Sequence, residues 1–274
     1  MKRQKRLAVI NDLSGFGRCS LTVELPLISA LKVVACPFPT AILSVHTAWP
    51  DFYLDDYTER MRPYMENWKR NGITFDGVLT GFFGSTEQIQ IVVDFLKDFK
   101  KDDTMFFFDP VMGDNGRIYP SYTKEMCRAM RELLHHADIV LPNLTEACEL
   151  LDRGYPAGVI SDAELLDMAA ELTARGAKAA VVTGVPDEEG DLRIVIHEAG
   201  RGSILRTEQL GNEITGTGDA FAAIVSASVL QGEDLTHAVQ KAMNFISKTM
   251  RYAEEIGITR PYGLPFEEYL TELK

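Results

Sequence analysis

A Thr-Gly-Thr-Gly-Asp run at residues 215–219 has residue types suited to phosphate chemistry. It precedes an apolar stretch, residues 220–230, that is typical of a buried helix. Glycines let the backbone approach a ligand closely, and a helix N-terminus offers free amide donors, so the run can cradle an anion. Asp219 is then a candidate proton acceptor beside that anion. A glycine turn capped by Asp219 is the alternative.

Two carboxylates, Asp109 and Asp114, lie five positions apart directly after the hydrophobic segment 105–108. Carboxylates on a loop at a strand end can organise Mg²⁺ and its waters around phosphate oxygens. The Pro and Gly residues between them also fit an ordinary turn with solvated acids. The segment therefore predicts either a magnesium and phosphate site or a plain loop.

Asn143 and Glu146 follow the apolar segment 138–141. Both side chains have oxygens that can reach phosphate or metal-bound water. An N-cap Asn with Glu at the third helical position is also the pattern of a capping box, which stabilises a helix start without any ligand. Both interpretations remain open at this point.

Residues 44–49, called the ring segment below, group hydroxyls with His46 and Trp49. These side chains suit stacking against, and hydrogen bonding to, a flat heteroaromatic ligand, although a packed loop would look similar. Earlier, Gly15 and Gly17 follow the first apolar run, but Ser20 stands where a dinucleotide fingerprint has its third glycine, so the evidence for NAD is weak. The chain has no GxxxxGK[ST] run, which argues against a P-loop kinase.

Short apolar runs alternate with longer amphipathic stretches, a pattern that predicts an α/β fold with a mainly parallel sheet. Predicted central strands cover residues 7–10, 77–80, 105–108, 138–141 and 179–183, and an antiparallel pair covers residues 193–197 and 203–207. Predicted helices cover residues 20–31, 57–71, 87–100, 123–135, 162–175, 220–230 and 236–253. Ligands of such sheets bind at the carboxyl ends of the strands, where the candidate residues lie.

The composition describes an ordinary globular protein of 274 residues with a net charge of −12. The acidic balance argues against a nucleic-acid surface, and no apolar stretch is long and uninterrupted enough for export or for a membrane span. The four cysteines show no paired close spacing, so neither a zinc site nor a disulfide framework is indicated, and a cytoplasmic location fits. Without a linker or repeat, we expect one domain over residues 1–274.

Five segments together resemble the pyridoxal kinase branch of the ribokinase superfamily: GTGD at 216–219, DPVMGD at 109–114, PNLTE at 142–146, SVHT at 44–47 and TGFFGS at 80–85. Their order and spacing match across nearly the whole chain. GTGD alone indicates only the superfamily, whereas the ring segment together with DPVMGD and PNLTE is more specific.

The resemblance implies a ribokinase-like three-layer α/β/α sandwich, a homodimer, and transfer of the ATP γ-phosphate to the 5′-hydroxymethyl group of pyridoxal, pyridoxamine or pyridoxine. It implies ATP and Mg²⁺ as cofactors, with a monovalent cation such as K⁺ as a further candidate. The catalytic residues that it implies are Asp219 as base and Gly216, Thr217 and Gly218 as anion hole. The implied nucleotide and phosphate residues are Asp109, Asp114, Tyr119, Asn143, Glu146, Thr183 and Thr217, with Mg²⁺ at Asp109 and Glu146. The implied substrate residues are Asp12, Ser14, His46, Thr47, Trp49 and Phe82.

The chain departs from the resemblance at the substrate pocket. Asn11, Asp12 and Leu13 stand where many pyridoxal kinases have a QSH run, so a carboxylate replaces a hydroxyl that meets the ring. An ionised carboxylate only accepts hydrogen bonds, which favours pyridoxamine or pyridoxine at least as much as pyridoxal. Val45 and Phe82 also replace polar residues that are common in the family.

Two alternatives to a pyridoxal kinase stay open. The sequence of residues 12–15, Asp-Leu-Ser-Gly, is similar to that of hydroxymethylpyrimidine kinases. Those enzymes share the phosphoryl-transfer residues and differ in the ring pocket. A non-catalytic vitamer- or nucleotide-binding protein on the same fold is the second, since a fold does not fix a function.

Overall fold

The computed structural model describes residues 3–211 and 213–273. The strands are β1 (Arg6–Ser14), β2 (Val34–Leu43), β3 (Leu54–Asp56), β4 (Gly77–Thr80), β5 (Met105–Phe108), β6 (Gly113–Asp114), β7 (Arg117–Ile118), β8 (Ile139–Val140), β9 (Ala179–Pro186), β10 (Leu192–Glu198) and β11 (Arg201–Thr207). The α-helices are α1 (Leu21–Ala30), α2 (Thr58–Arg70), α3 (Thr86–Phe99), α4 (Lys124–Leu134), α5 (Leu144–Leu151), α6 (Asp162–Ala174), α7 (Thr217–Leu230) and α8 (Leu235–Glu255). Short 3₁₀ helices cover Arg260–Tyr262 and Glu267–Leu273.

The chain divides into two compact units. The first comprises residues 1–82, 98–104 and 210–274, and the second comprises residues 83–97 and 105–209. The expectation of one domain over residues 1–274 stays a prediction.

In the first unit, β1 pairs in parallel with β2 on one side and with β4 on the other. Leu7, Ala8, Val9 and Ile10 are fully buried, as expected of a strand covered on both faces. The strand continues through Asn11 and Asp12 to Ser14, so polar side chains occupy its carboxyl end. β3 adds an antiparallel edge to β2.

β2 was not among the predicted strands because Pro37 and Pro39 interrupt it. β3 pairs only with residues 41–43, so among the described residues of the first unit no strand pairs with the preceding part of β2 on that side. The two prolines lie two residues apart and so have their missing N–H groups on the same side of the strand. Proline is tolerated at such an edge, since no ladder hydrogen bond is lost.

In the second unit, β5, β8 and β9 run parallel, and β10 and β11 continue the sheet as antiparallel strands. The predicted antiparallel pair at residues 193–197 and 203–207 is therefore confirmed. The three phenylalanines of β5, residues 106–108, are fully buried. Each unit is mainly parallel where the candidate residues lie, as the sequence predicts.

In the described part of the chain, seven helices lie where the sequence predicts them, although α7 begins at Thr217 and so includes most of the glycine run. The eighth, α5, was not among the predicted helices; only its start was anticipated, as the possible capping box at Asn143 and Glu146. The four cysteines are free. Within the described residues, no helix has the length and apolar character needed to cross a membrane.

Candidate active site

The glycine turn, residues 215–218, opens helix α7. Gly216 is the N-cap and has a left-handed backbone with φ 89°. A Cβ atom there would lie 2.5 Å from the Arg18 carbonyl oxygen, so only glycine fits. Gly218 is different, because it is exposed and nothing lies within 4 Å of a Cβ built on it. The turn therefore presents the start of a helix with open space over Gly218.

Asp219 directs its carboxylate toward the end of β1 and the start of α1. Oδ2 accepts the Ser20 backbone N–H at 2.8 Å, and Oδ1 accepts the Asn11 side-chain amide at 3.4 Å. Removal from bulk water raises the pKa of Asp219, although these two hydrogen bonds act in the opposite sense. A positioned carboxylate with a raised pKa is suited to accept a proton from an alcohol.

Asn11 holds its amide in one orientation. Its Oδ1 accepts the backbone N–H groups of Asp12 and Phe82, both at 2.9 Å, so its Nδ2 faces Asp219. A Cβ at Gly81 would lie 2.3 Å from the Asn11 side chain, which shows how closely the backbone packs here. This role of Asn11 is not among the sequence predictions, although its position directly after the first apolar run is a signal for it.

Asp12 is buried, and both of its oxygens accept hydroxyl donors. Ser14 donates to Oδ2 at 2.9 Å and Ser20 donates to Oδ1 at 2.5 Å. Burial raises the pKa of Asp12 to about 6, and the Asp219 charge acts in the same direction. A direct hydrogen bond from Asp12 to a vitamer stays a prediction.

Ser20 links the two carboxylates, since its N–H binds Asp219 and its hydroxyl binds Asp12. Its backbone has φ 53° and ψ −133°, a region that residues with a side chain rarely adopt. Glycine adopts this conformation without strain, whereas the serine is held in it by these two hydrogen bonds.

Asp12→Asn is expected to change the pH dependence of stability. The folded pKa of Asp12 lies above the ordinary 3.8, so the wild-type protein loses stability as pH rises from about 4 through about 6. A neutral Asn avoids this loss, which amounts to at most about 3 kcal/mol. Urea unfolding of both proteins at about pH 4 and about pH 7 measures this effect. The free energy of unfolding of the variant, relative to that of the wild type, should be higher at about pH 7 than at about pH 4. An identical difference at both pH values would contradict the buried charge.

The ring segment is held by the main chain. His46 is buried, with Nε2 2.8 Å from the Pro261 carbonyl oxygen, and Trp49 Nε1 donates to the same oxygen at 3.1 Å. Thr47 is exposed. Phe82 is half-buried and its carbonyl accepts the Thr40 hydroxyl at 2.9 Å. The predicted substrate contacts of these side chains stay predictions, while the structure adds Pro261, which no motif included.

In the second unit, the Asn143 and Glu146 pattern forms the capping box that the sequence offered as an alternative. The Asn143 side chain accepts the Glu146 N–H at 3.0 Å, and Glu146 Oε2 accepts the Asn143 N–H at 2.9 Å. Glu146 Oε1 also accepts the Met112 N–H at 3.1 Å. Burial, with the Asp114 charge acting in the same direction, raises the pKa of Glu146 to about 8, although the hydrogen bonds from the backbone oppose the rise.

The capping box also binds the acidic loop, which follows β5 and contains Asp109 and Asp114. The Asn143 amide donates to the Gly113 carbonyl at 2.8 Å, and the Thr145 hydroxyl accepts the Gly116 N–H at 2.8 Å. The second unit thus places the predicted nucleotide residues on or after neighbouring strands: Asp109 after β5, Asp114 in β6, Tyr119 after β7, Asn143 and Glu146 after β8, and Thr183 on β9 beside Asn143.

These oxygen donors fit magnesium. Within residues 3–211 and 213–273, no group of three or more His, Cys, Asp or Glu side chains is placed to hold a metal. Mg²⁺ does not need such a group, because it is usually bound through one or two carboxylates together with waters and substrate phosphates. Two carboxylates, Asp109 and Glu146, remain the predicted ligands.

A glycine turn opening a helix, with a carboxylate in its first turn, on a mainly parallel α/β fold, is characteristic of a phosphotransferase with a ribokinase-like fold. The chain belongs to the phosphomethylpyrimidine kinase family, whose sequence profile matches residues 24–263.

Known proteins similar to the chain include two solved structures and one curated relative. A provisionally named phosphomethylpyrimidine kinase from Bacteroides thetaiotaomicron, crystallised with pyridoxal, has 38% identity and a TM-score of 0.95 over 99% of this chain and 96% of that one. Pyridoxal kinase from Leishmania donovani, in complex with ADP and pyridoxamine, has 25% identity and a TM-score of 0.89 over 98% and 96% of the two chains. A provisionally named pyridoxal kinase of Caenorhabditis elegans is 35% identical over 65% of this chain and 57% of its own length.

The predicted resemblance to pyridoxal kinases and the predicted ribokinase-like α/β/α fold are thereby confirmed. The chain spans little more than half of the length of the C. elegans relative.

Proposed function

We propose that the protein transfers the γ-phosphate of ATP to the 5′-hydroxymethyl group of a vitamin B6 vitamer. The observation that supports this most strongly is the likeness, over 99% of the chain, to a structure crystallised with pyridoxal. The ADP and pyridoxamine complex of a second similar structure supports the same pair of ligands. A cytoplasmic homodimer, Mg²⁺ and a monovalent cation such as K⁺ belong to the proposal.

Asp219 acts as the base that takes the proton of the acceptor alcohol. Its two oxygens are oriented by Ser20 and Asn11, and its raised pKa makes it a stronger proton acceptor than a solvated carboxylate. The amides at Gly216, Thr217 and Gly218 stabilise charge on the migrating phosphoryl group, as donors at a helix N-terminus do. Phosphoryl transfer needs mainly positioning and charge stabilisation, so no P-loop lysine is required.

The acidic loop and capping box bind the nucleotide phosphates with Mg²⁺. Asp109 and Glu146 hold the ion, Asp114 and Asn143 support it, and Tyr119, Thr183 and Thr217 contact the nucleotide. When bound, Mg²⁺ neutralises phosphate charge. Bringing a cation to Glu146 favours its ionised form, which opposes the rise in its pKa.

Phosphorylation of hydroxymethylpyrimidine is the second candidate. It is supported by the membership of the chain in the phosphomethylpyrimidine kinase family and by the similarity of residues 12–15 to hydroxymethylpyrimidine kinases. Both reactions use an alcohol on a flat heteroaromatic ring, so the phosphoryl-transfer residues have the same roles in each.

A coupled assay of ADP release with four acceptors tests the proposal. We expect at least one of pyridoxal, pyridoxamine and pyridoxine to give a kcat/KM about tenfold or more above that of hydroxymethylpyrimidine, a difference that pocket contacts can supply. The reverse order would assign the protein to hydroxymethylpyrimidine. Vitamer binding without acceptor-dependent ADP release would instead indicate a non-catalytic binding protein.

A further inference from the structure

Pro261 lies in a C-terminal turn, residues 260–264, that no motif in the sequence singled out. Its carbonyl oxygen accepts from the side chains of both His46 and Trp49. The other ring nitrogen of His46, Nδ1, accepts the Ala48 N–H at 3.3 Å, so Nε2 carries the hydrogen and donates it to Pro261. One main-chain oxygen therefore orients the two largest side chains of the ring segment.

The C-terminal turn also packs closely against the loop after β1, where the Arg18 N–H donates to the Tyr262 carbonyl at 3.3 Å. A Cβ at Gly263 would lie 2.4 Å from the Arg18 carbonyl oxygen. A Cβ at Gly17 would lie 2.5 Å from the His46 ring and 3.0 Å from the Pro261 oxygen. Both glycines have positive φ, 72° and 86°. The contact therefore depends on glycine from each side.

The same turn is bonded to the glycine turn that precedes Asp219. The Thr215 hydroxyl donates to the Arg260 carbonyl at 2.9 Å, and the Leu264 N–H donates to the Thr215 carbonyl at 3.0 Å. Gly216 lies against the same Arg18 carbonyl oxygen that Gly263 meets. Three segments distant in the sequence are thus joined at one place in the first unit.

We propose that the C-terminal turn is a positioning element for the acceptor alcohol: it sets the orientation of His46 and Trp49 and, through Thr215, the position of the glycine turn. The acceptor class is a flat heteroaromatic ring with a hydroxymethyl group. This inference rests on the proposed function. Both ring nitrogens of His46 already bind the main chain. In this proposal, His46 therefore contributes by the ring orientation that the Pro261 carbonyl fixes.

Gly263→Ala, compared with Gly257→Ala, tests this role. Both glycines have positive φ, 72° and 69°, so both substitutions strain the backbone; Gly263 also has ψ 174°, a region that only glycine adopts readily, so strain there adds to the displacement of the turn. Nothing lies within 4 Å of a Cβ at Gly257, whereas Gly263→Ala must displace the turn from Arg18. We expect Gly263→Ala to raise the acceptor KM about tenfold or more, and to lower kcat as well because the displaced turn is bonded to the glycine turn through Thr215. Gly257→Ala should change neither constant by more than about twofold.

Trp49→Phe provides a second test if Gly263→Ala does not fold. It keeps an aromatic ring and removes the N–H that binds Pro261. We expect its acceptor KM to rise about threefold or more with the KM for ATP unchanged. An unchanged acceptor KM in the folded Gly263→Ala variant, or in Trp49→Phe when Gly263→Ala is unfolded, would overturn the proposal.

A readout that needs no activity separates this inference from the proposed function. In a Trp68→Phe background, Trp49 is the only tryptophan, so its emission reports on the ring segment. We expect Gly263→Ala to shift that emission and Gly257→Ala to leave it unchanged. Failure of every acceptor in the wild-type assay would refute the proposed function, whereas identical emission in both variants would refute the positioning role.

Discussion

Asp219→Asn should lower turnover about 10²- to 10⁴-fold with saturating ATP and vitamer, which corresponds to about 3 to 5 kcal/mol of lost transition-state stabilisation. The amide cannot take a proton from the acceptor alcohol. Its oxygen can still accept the Ser20 N–H, so this 2.8 Å bond is kept, while the longer bond from Asn11, at 3.4 Å, is lost. We therefore expect the fold and ATP binding to be retained. Steady-state kinetics, ATP titration and thermal unfolding measure the three quantities.

Asp234→Asn is the matched control for this variant. It makes the same carboxylate-to-amide change in the same unit, at the N-cap of α8, where Asn is an equally good cap for the His237 N–H. Its turnover should be that of the wild type. If Asp219→Asn also retained near-normal turnover, Asp219 would be excluded as the base, and the raised pKa of its carboxyl would be a consequence of burial alone.

The strands that could be predicted are those that their own residue types identify. Residues 7–10 and 105–108 are unbroken apolar runs because both of their faces are covered. β2 was not predicted because its own residues do not identify it. Pro37 and Pro39 are tolerated because β3 pairs only with residues 41–43, and the extent of that pairing is set by the fold.

A similar division holds for the candidate site. The glycine turn and the capping box were predictable because each is a short run whose geometry follows from its own residue types. Ser20 and Pro261 were not, since their contributions come from a strained backbone N–H and a main-chain carbonyl that meet partners about 200 residues away. A backbone atom has the same chemistry in every residue, so no spacing of side chains identifies it.

Gly216→Ala is expected to lower stability, whereas Gly218→Ala is expected to lower turnover with little effect on stability. At Gly216, positive φ and the Arg18 carbonyl oxygen oppose a side chain, so we expect a loss of about 2 to 4 kcal/mol in the free energy of unfolding. At Gly218 the protein leaves open space, and alanine should change that free energy by less than about 1 kcal/mol. Turnover of Gly218→Ala should nevertheless fall about 10²-fold, because the methyl group stands where the phosphoryl group must approach the amides. Urea unfolding and steady-state kinetics on the same preparations measure both effects.

The Gly218 result is the more informative of the pair. Each glycine of a turn can be retained either for the backbone or for a ligand, and at Gly216 both reasons predict a damaged enzyme. At Gly218 the protein gives no steric reason for glycine, since its backbone does not require positive φ and a Cβ meets no neighbour. A stable variant with low turnover would therefore locate the phosphate approach at this turn. Wild-type turnover in Gly218→Ala would mean that no anion approaches Gly218 during the reaction, and the anion hole would have to be sought elsewhere.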